Sequence, residues 1–107
     1  MNCHSLALAF VERFARGDVD GLGKLLADEF HLRGPLGEYF SRVDYLDALR
    51  GDLDPATEFT IVSESLDGVE VRIDYVYRDK LISQRFRCQA GRIVDSRVEF
   101  DAAGPGE

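Results

Sequence analysis

Few side chains in this 107-residue chain could carry chemistry at neutral pH. His4 and His31 supply the imidazoles, Cys3 and Cys88 the thiols. An imidazole with an ordinary pKa near ~6.5 is poised to act as a general base. A thiol becomes a nucleophile only beside a base and in surroundings that favour its thiolate, and the sequence supplies neither for Cys88. No spacing among these four residues resembles a zinc site, so no metal and no cofactor are expected. Arg72, Asp74, Arg85 and Asp95 are of the types that position water and orient an acid in a hydrolase. The remaining candidates are neutral and polar: Tyr39, Tyr45, Tyr75, Tyr77, Gln84 and Ser96.

Which of these groups meet depends on the elements that carry them. Leu6, Phe10 and Phe14, with Ala7 and Val11, recur at helical spacing from a start at Ser5, and Gly17 is placed to end that helix. Asp18 caps a second helix, with Asp20 in its first turn and Leu22, Leu25 and Leu26 as its apolar face. Gly21 and Gly23 weaken it by about 1 kcal/mol each relative to alanine, so it relies on packing. A short strand follows in which Phe30 and Leu32 point inward while His31 and Arg33 point away. Ser41 caps a third helix, with Asp44 three residues on, Phe40 and Tyr45 as a hydrophobic staple, and Val43, Leu46 and Leu49 facing inward up to Gly51. The stretch GDLDPA crosses over, and Pro55 excludes further helix.

Beyond Thr57 the period becomes two, and four strands are expected at 57–65, 69–78, 81–89 and 92–101. Val69, Val71, Ile73, Tyr75 and Tyr77 share one face, and Arg72 and Asp74 lie on the other. Asp67-Gly68 signals a hairpin strongly, Asp79-Lys80 more weakly, and Ala90-Gly91 supplies the last reversal. A two-residue turn at Asp79-Lys80 pairs Tyr75 with Gln84 and Ile73 with Phe86. A three-residue turn over 90–92 pairs Cys88 with Val94 and Phe86 with Ser96. This parity puts Tyr75, Tyr77, Gln84 and Ser96 inside, and Cys88 in the core as a free thiol. It puts Arg72, Asp74, Arg85, Arg87, Asp95, Arg97 and Glu99 outside as a charge ladder, and His31 on a short edge strand as a surface group. The strand over 57–66 is ambiguous, because Phe59 and Ile61 favour one face and Val62 and Leu66 the other.

The composition suits one folded domain: 45% hydrophobic and 31% charged residues, with a formal charge of −7. Net negative charge gives no field to attract nucleic acid or anionic lipid. The opening MNCHSLALAFVERFARG has no basic leader, and its apolar run is soon interrupted by Glu12, Arg13 and Arg16. Neither a signal peptide nor a membrane span is expected, and the location implied is cytoplasmic. One domain over 1–101 and a flexible tail over 102–107 complete the expectation.

The element order, with Arg16-Gly17-Asp18 after helix one, Ala27-Asp28-Glu29-Phe30 entering the short strand, the Gly34-Pro35-Leu36-Gly37 turn and Gly91-Arg92-Ile93 before the last strand, resembles the NTF2-like superfamily. More narrowly, it resembles the SnoaL-like group, over residues 6 to 101. The resemblance implies an α+β cone: three N-terminal helices on a curved, mainly antiparallel sheet, formed by the short strand and a four-strand meander around an apolar pocket. It also implies a homodimer through the outer face of the sheet. Known enzymes of the superfamily include ketosteroid isomerases, polyketide cyclases, scytalone dehydratase and limonene epoxide hydrolase, while other members only bind, so the fold alone does not fix function.

In the isomerases the carboxylate base precedes the proline of this turn. That position is Gly34 here. The tyrosine donor on helix one falls near Phe10, and the acid on the penultimate strand near Ser83. The expectation is therefore a pocket protein that binds a small apolar organic ligand through Leu32, Tyr39, Tyr45, Tyr75, Gln84 and Ser96, without the isomerase base. Two alternatives are a small lyase, cyclase or hydrolase with an unfamiliar site, polyketide cyclase-like or epoxide hydrolase-like, and a dimerisation module whose cone is filled.

Overall fold

Asn2 accepts a hydrogen bond from the Ser5 backbone N–H at 2.8 Å and so caps α1 (Cys3–Arg16), which starts earlier than Ser5. The computed structural model describes residues 2–35, 37–51 and 58–100. Gly17 closes α1 with φ 74°, a left-handed conformation that glycine adopts without penalty. Asp18 then accepts from the Gly21 N–H and caps α2 (Val19–Gly23). This helix has five residues, because two glycines leave little helical preference to extend it. The expected leucine face is thereby corrected: Leu25 and Leu26 are buried, but Leu25 sits in a turn and Leu26 opens β1 (Leu26–Gly34).

β1 reverses into β2 (Gly37–Tyr39), with Leu32 opposite Tyr39 and Gly34 opposite Gly37. β2 covers the free side of β1, so β1 is not the short edge strand expected for His31. Ser41 Oγ accepts from the Asp44 N–H and caps α3 (Arg42–Arg50), as its sequence predicts. The staple does not form: Phe40 is 66% exposed and stacks on His31 at 5.0 Å, while Tyr45 turns into the core. Val43, expected inward, is also exposed, and Leu46 is the buried aliphatic residue of α3. The crossover around Pro55 and the tail over 102–107 lie outside the described residues.

The last four strands are β3 (Phe59–Asp67), β4 (Glu70–Tyr77), β5 (Lys80–Gln89) and β6 (Arg92–Phe100). The sheet order is β2-β1-β6-β5-β4-β3, antiparallel throughout except for the parallel β1–β6 pair. The fold is thus α+β, with helices packed on a curved, mainly antiparallel sheet. Parity follows the sequence reading in β4, where Val71, Ile73 and Tyr75 are buried, but Val69, expected on the same face, precedes the strand and is exposed. Register does not follow that reading. The β4–β5 turn is Arg78-Asp79, with φ 51° and 70°, so Tyr75 faces Ile82 and Gln84 faces Ile73, two residues from the expected pairing. An even slip preserves which face each side chain takes. The β5–β6 turn is likewise two residues, Ala90-Gly91. A register shift between Arg87 and Cys88 sets Cys88 opposite Ile93 instead of Val94, but the Phe86–Ser96 pair holds. A second shift, between Ile61 and Ser63, explains the ambiguous strand: Ile61 pairs with inward Tyr75, and Leu66, past the bulge, pairs with inward Val71.

Phe10, Phe30 and Phe86 form the fully buried aromatic centre of the core, Phe10 lying edge-on to Phe86 at 5.3 Å. Contrary to the expectation of free thiols, Cys3 and Cys88 form a disulfide that joins the first turn of α1 to the end of β5, with Cα atoms 5.6 Å apart. Cys88 follows Gln84 and Phe86 on the inner face, and α1 lies across that face, which brings a residue 85 positions earlier alongside it.

Candidate functional site

Between α1, α3 and the concave side of the sheet lies a cavity of about 230 Å³. Its walls are mainly aromatic and aliphatic. Phe10 and Phe14 come from α1, Tyr45 and Leu49 from α3, and Tyr75, Tyr77, Gln84 and Val98 from the sheet. Among the described residues, no Asp, Glu, His, Cys, Lys or Arg lines it. Five of the six expected site residues stand on this wall: Leu32, Tyr39, Tyr45, Tyr75 and Gln84. Ser96 is equally buried but stands behind Gln84. Phe14, Val98 and Phe100 line the cavity in addition to the expected residues, and period two from Ser96 puts Val98 and Phe100 on the inner face.

Gly34, the position to which the resemblance assigns the isomerase base, stands in the wall. A Cβ there would lie 3.2 Å from Val98 Cβ, so the position faces the β6 side chain across the cavity's rim and has no room to spare. The residue expected to follow Phe30 and Leu32 inward does so, and it has no side chain.

Two of the cavity's polar groups, Tyr75 and Gln84, head a hydrogen-bonded chain that runs back into the sheet. Tyr75 Oη donates to Gln84 Oε1 at 2.7 Å, Gln84 Nε2 donates to Ser96 Oγ at 2.8 Å, and Ser96 Oγ donates to the backbone carbonyl of Arg85 at 2.9 Å. A glutamine that is 1% exposed is tolerated only with such partners. Burial pushes the Tyr75 phenol well above its ordinary range, with Tyr77 adding to it. Burial does the same to Tyr45, and Tyr75, Tyr39 and Tyr77 contribute because their hydroxyls are near enough to disfavour a phenolate. Both phenols stay neutral at pH 7. The Tyr39 and Tyr45 rings meet edge to face at 5.5 Å, which fixes the α3 side of the cavity against β2.

The charged groups are elsewhere. Asp74 accepts from Arg72 Nε at 2.9 Å, Ser83 Oγ at 2.7 Å and Ser63 Oγ at 2.9 Å, all on the outer face. Partial burial pushes its carboxyl up, but these three hydrogen bonds outweigh that and leave it below its ordinary value. Arg85 approaches Glu70 at 3.7 Å on the same face. The hydrolase-type set is therefore a charge ladder outside the cavity. His31 is also outside, bonded to Glu38 at 2.6 Å and 3.6 Å from Asp95. A wider surface depression, about 560 Å³, runs past Asp28, Glu29, Arg42 and Arg92; its Arg42 is already paired with Asp28 at 2.7 Å. Among the described residues, no helix is long and apolar enough to cross a membrane, and no three His, Cys, Asp or Glu cluster to hold a metal.

No family model matches the sequence, and no curated protein matches it. Solved structures do. A SnoaL-like protein of unknown function from Burkholderia thailandensis superposes with a TM-score of 0.78 at 16% identity, over 94% of this chain and 95% of that one. An NTF2-like protein of unknown function from Cytophaga hutchinsonii gives 0.73 at 19% identity, over 90% and 87%. An LEH-like epoxide hydrolase of M. tuberculosis gives 0.76 at 19% identity, over 92% and 81%. The chain has the NTF2-like fold. A SnoaL-like protein is among its counterparts within that fold, and identities this low carry the architecture without the chemistry.

Proposed function

We propose that this protein binds a small apolar organic molecule in the cone's cavity and does not use isomerase-type proton abstraction. The observation that carries this reading is the wall itself: aromatic and aliphatic surface, a hydrogen-bonded Tyr75–Gln84 pair, and no carboxylate or imidazole among the described residues. Apolar concavity with a few convergent polar groups is the usual construction of a small-molecule site. At about 230 Å³ the cavity is smaller than the ~300–1,000 Å³ of drug-sized sites, so a one- or two-ring ligand is the scale implied. In this reading Leu32, Tyr39, Tyr45, Tyr75 and Gln84 contact the ligand, and Ser96 orients Gln84. Open volume speaks for binding over a filled interaction module. Hydrolase chemistry of the epoxide type would need acids inside the cavity, and Asp74 and Asp95 are carried on the other face.

Self-association belongs to the same proposal, through the outer face where Arg87 and Arg97 lie beside Asp95 and Glu99. A cytoplasmic location goes with it only in the form where the Cys3–Cys88 bond is reducible, since reducing compartments keep thiols free. The test is a binding titration of small aromatic compounds against the protein and its Val98→Phe variant, which fills the cavity from β6. Micromolar to millimolar binding that V98F abolishes without unfolding supports the reading. Equal binding by both proteins places the ligand elsewhere and overturns it.

A further inference from the structure

The hydrogen-bond chain in the cavity has a direction, and that direction selects the ligand. Its far end is the Arg85 backbone carbonyl, which can only accept. Ser96 has one hydroxyl proton and gives it to that carbonyl, so Ser96 Oγ must accept from Gln84, and it does so from Nε2 at 2.8 Å. The amide of Gln84 is thereby turned with Oε1 toward Tyr75, and an amide oxygen can only accept. Tyr75 must therefore donate its single proton to Gln84, at 2.7 Å. Its oxygen has lone pairs left and no proton. Tyr75 Oη thus offers an acceptor to whatever enters.

We propose that the cavity recognises a neutral one- or two-ring molecule through a hydroxyl group that donates a hydrogen bond to Tyr75 Oη, and that it discriminates against the corresponding ketone. This rests on the binding function proposed above and specifies its ligand class. A carbonyl oxygen brought to the same place meets a lone pair, with the Tyr75 proton already committed to a buried partner, and loses its water without replacement. A hydroxyl keeps its hydrogen bond. The surrounding rings of Phe10, Phe14 and Tyr77 suit an aromatic or alicyclic body. The neutrality of Tyr45 and Tyr75 removes any phenolate that would call for a cationic ligand. An isomerase donor tyrosine works in the opposite sense, giving its proton to a developing oxyanion, so the same residue type here has the reversed role.

The experiment uses the full chain and the near-isosteric probes 1-indanol and 1-indanone, with dissociation constants measured by calorimetry or by chemical-shift titration. The alcohol is expected to bind at least about tenfold more tightly than the ketone, the scale set by one satisfied against one unsatisfied neutral hydrogen bond. Tyr75→Phe is expected to weaken the alcohol and bring the two probes within about threefold of each other. Should that variant fail to fold, the wild-type ratio alone decides. Equal affinities, or a preference for the ketone, overturn the proposal while leaving the binding function standing; a ketone preference would mean that the Gln84 amide is reversed. If neither probe binds, both this proposal and the binding function fail together.

Discussion

Removing the Cys3–Cys88 bond tests whether α1 is stapled to the sheet as the structure has it. The bond spans 85 positions. A closed loop of that length withdraws unfolded-state entropy worth about 4.5 kcal/mol at room temperature. Against a typical domain stability of ~5–15 kcal/mol this is a large share. With unfolding entropy near ~2.1 cal/mol/K per residue, a chain of this size should lose about 20 °C in Tm. The assay is thermal unfolding followed by circular dichroism, comparing the oxidised protein, the protein under reductant, and the Cys3→Ser/Cys88→Ser double variant. Reduced and double-variant proteins should melt together, far below the oxidised one. A difference under about 5 °C would refute the loop-entropy argument. Two titratable thiols per chain in protein denatured without reductant would refute the bond itself. Because Phe10 and Phe14 extend from α1 into the cavity wall, the same reduction should weaken ligand binding as the helix start loosens.

Asp74 supplies a pH-dependent prediction. Its folded carboxyl lies below the ordinary 3.8, so its stabilising contribution is complete above that pH and is lost as pH falls through the folded value. Asp74→Asn should therefore lower the urea midpoint at pH 7, and the gap from wild type should narrow at pH 3; a gap that does not depend on pH would exclude the charge as its cause. Gly34→Asp places a carboxylate at the cavity's rim and should cost about 1–3 kcal/mol, from crowding against Val98 and from desolvation. Burial there raises the acid's folded pKa, so the neutral form is favoured and the cost is greater at pH 7 than at pH 3. A variant as stable as wild type at pH 7 would show that position 34 is solvated and outside the cavity.

The inner faces were legible wherever alternation ran unbroken. Val71, Ile73, Tyr75 and Tyr77 are four positions at period two, and the side they occupy survives a register slip of two. Register was not legible, because alternation fixes parity and the weak turn signal at Asp79-Lys80 let Arg78-Asp79 take the corner with two positive φ values. Bulges at Val62 and beside Cys88 were also hidden, since an inserted residue appears in sequence as a change of face with no marker. Glycine and cap signals at Gly17, Asp18 and Ser41 act locally and were readable. The disulfide is the opposite case: only the stacking of α1 on β5 brings its halves together. The cavity residues could be grouped from parity, but the direction of the Tyr75–Gln84–Ser96 chain depends on a backbone carbonyl that no side-chain pattern encodes.

We take the cone's neutral, aromatic interior to be a binding site. The most direct test is a titration of the protein with 1-indanol, observed through the ring resonances of its tyrosines, Tyr39, Tyr45, Tyr75 and Tyr77. All four should shift together along one saturable curve, with Tyr75 moving most. Saturable binding that leaves these rings unmoved, and instead perturbs the surface around Arg42 and Arg92, would place the site outside the cone.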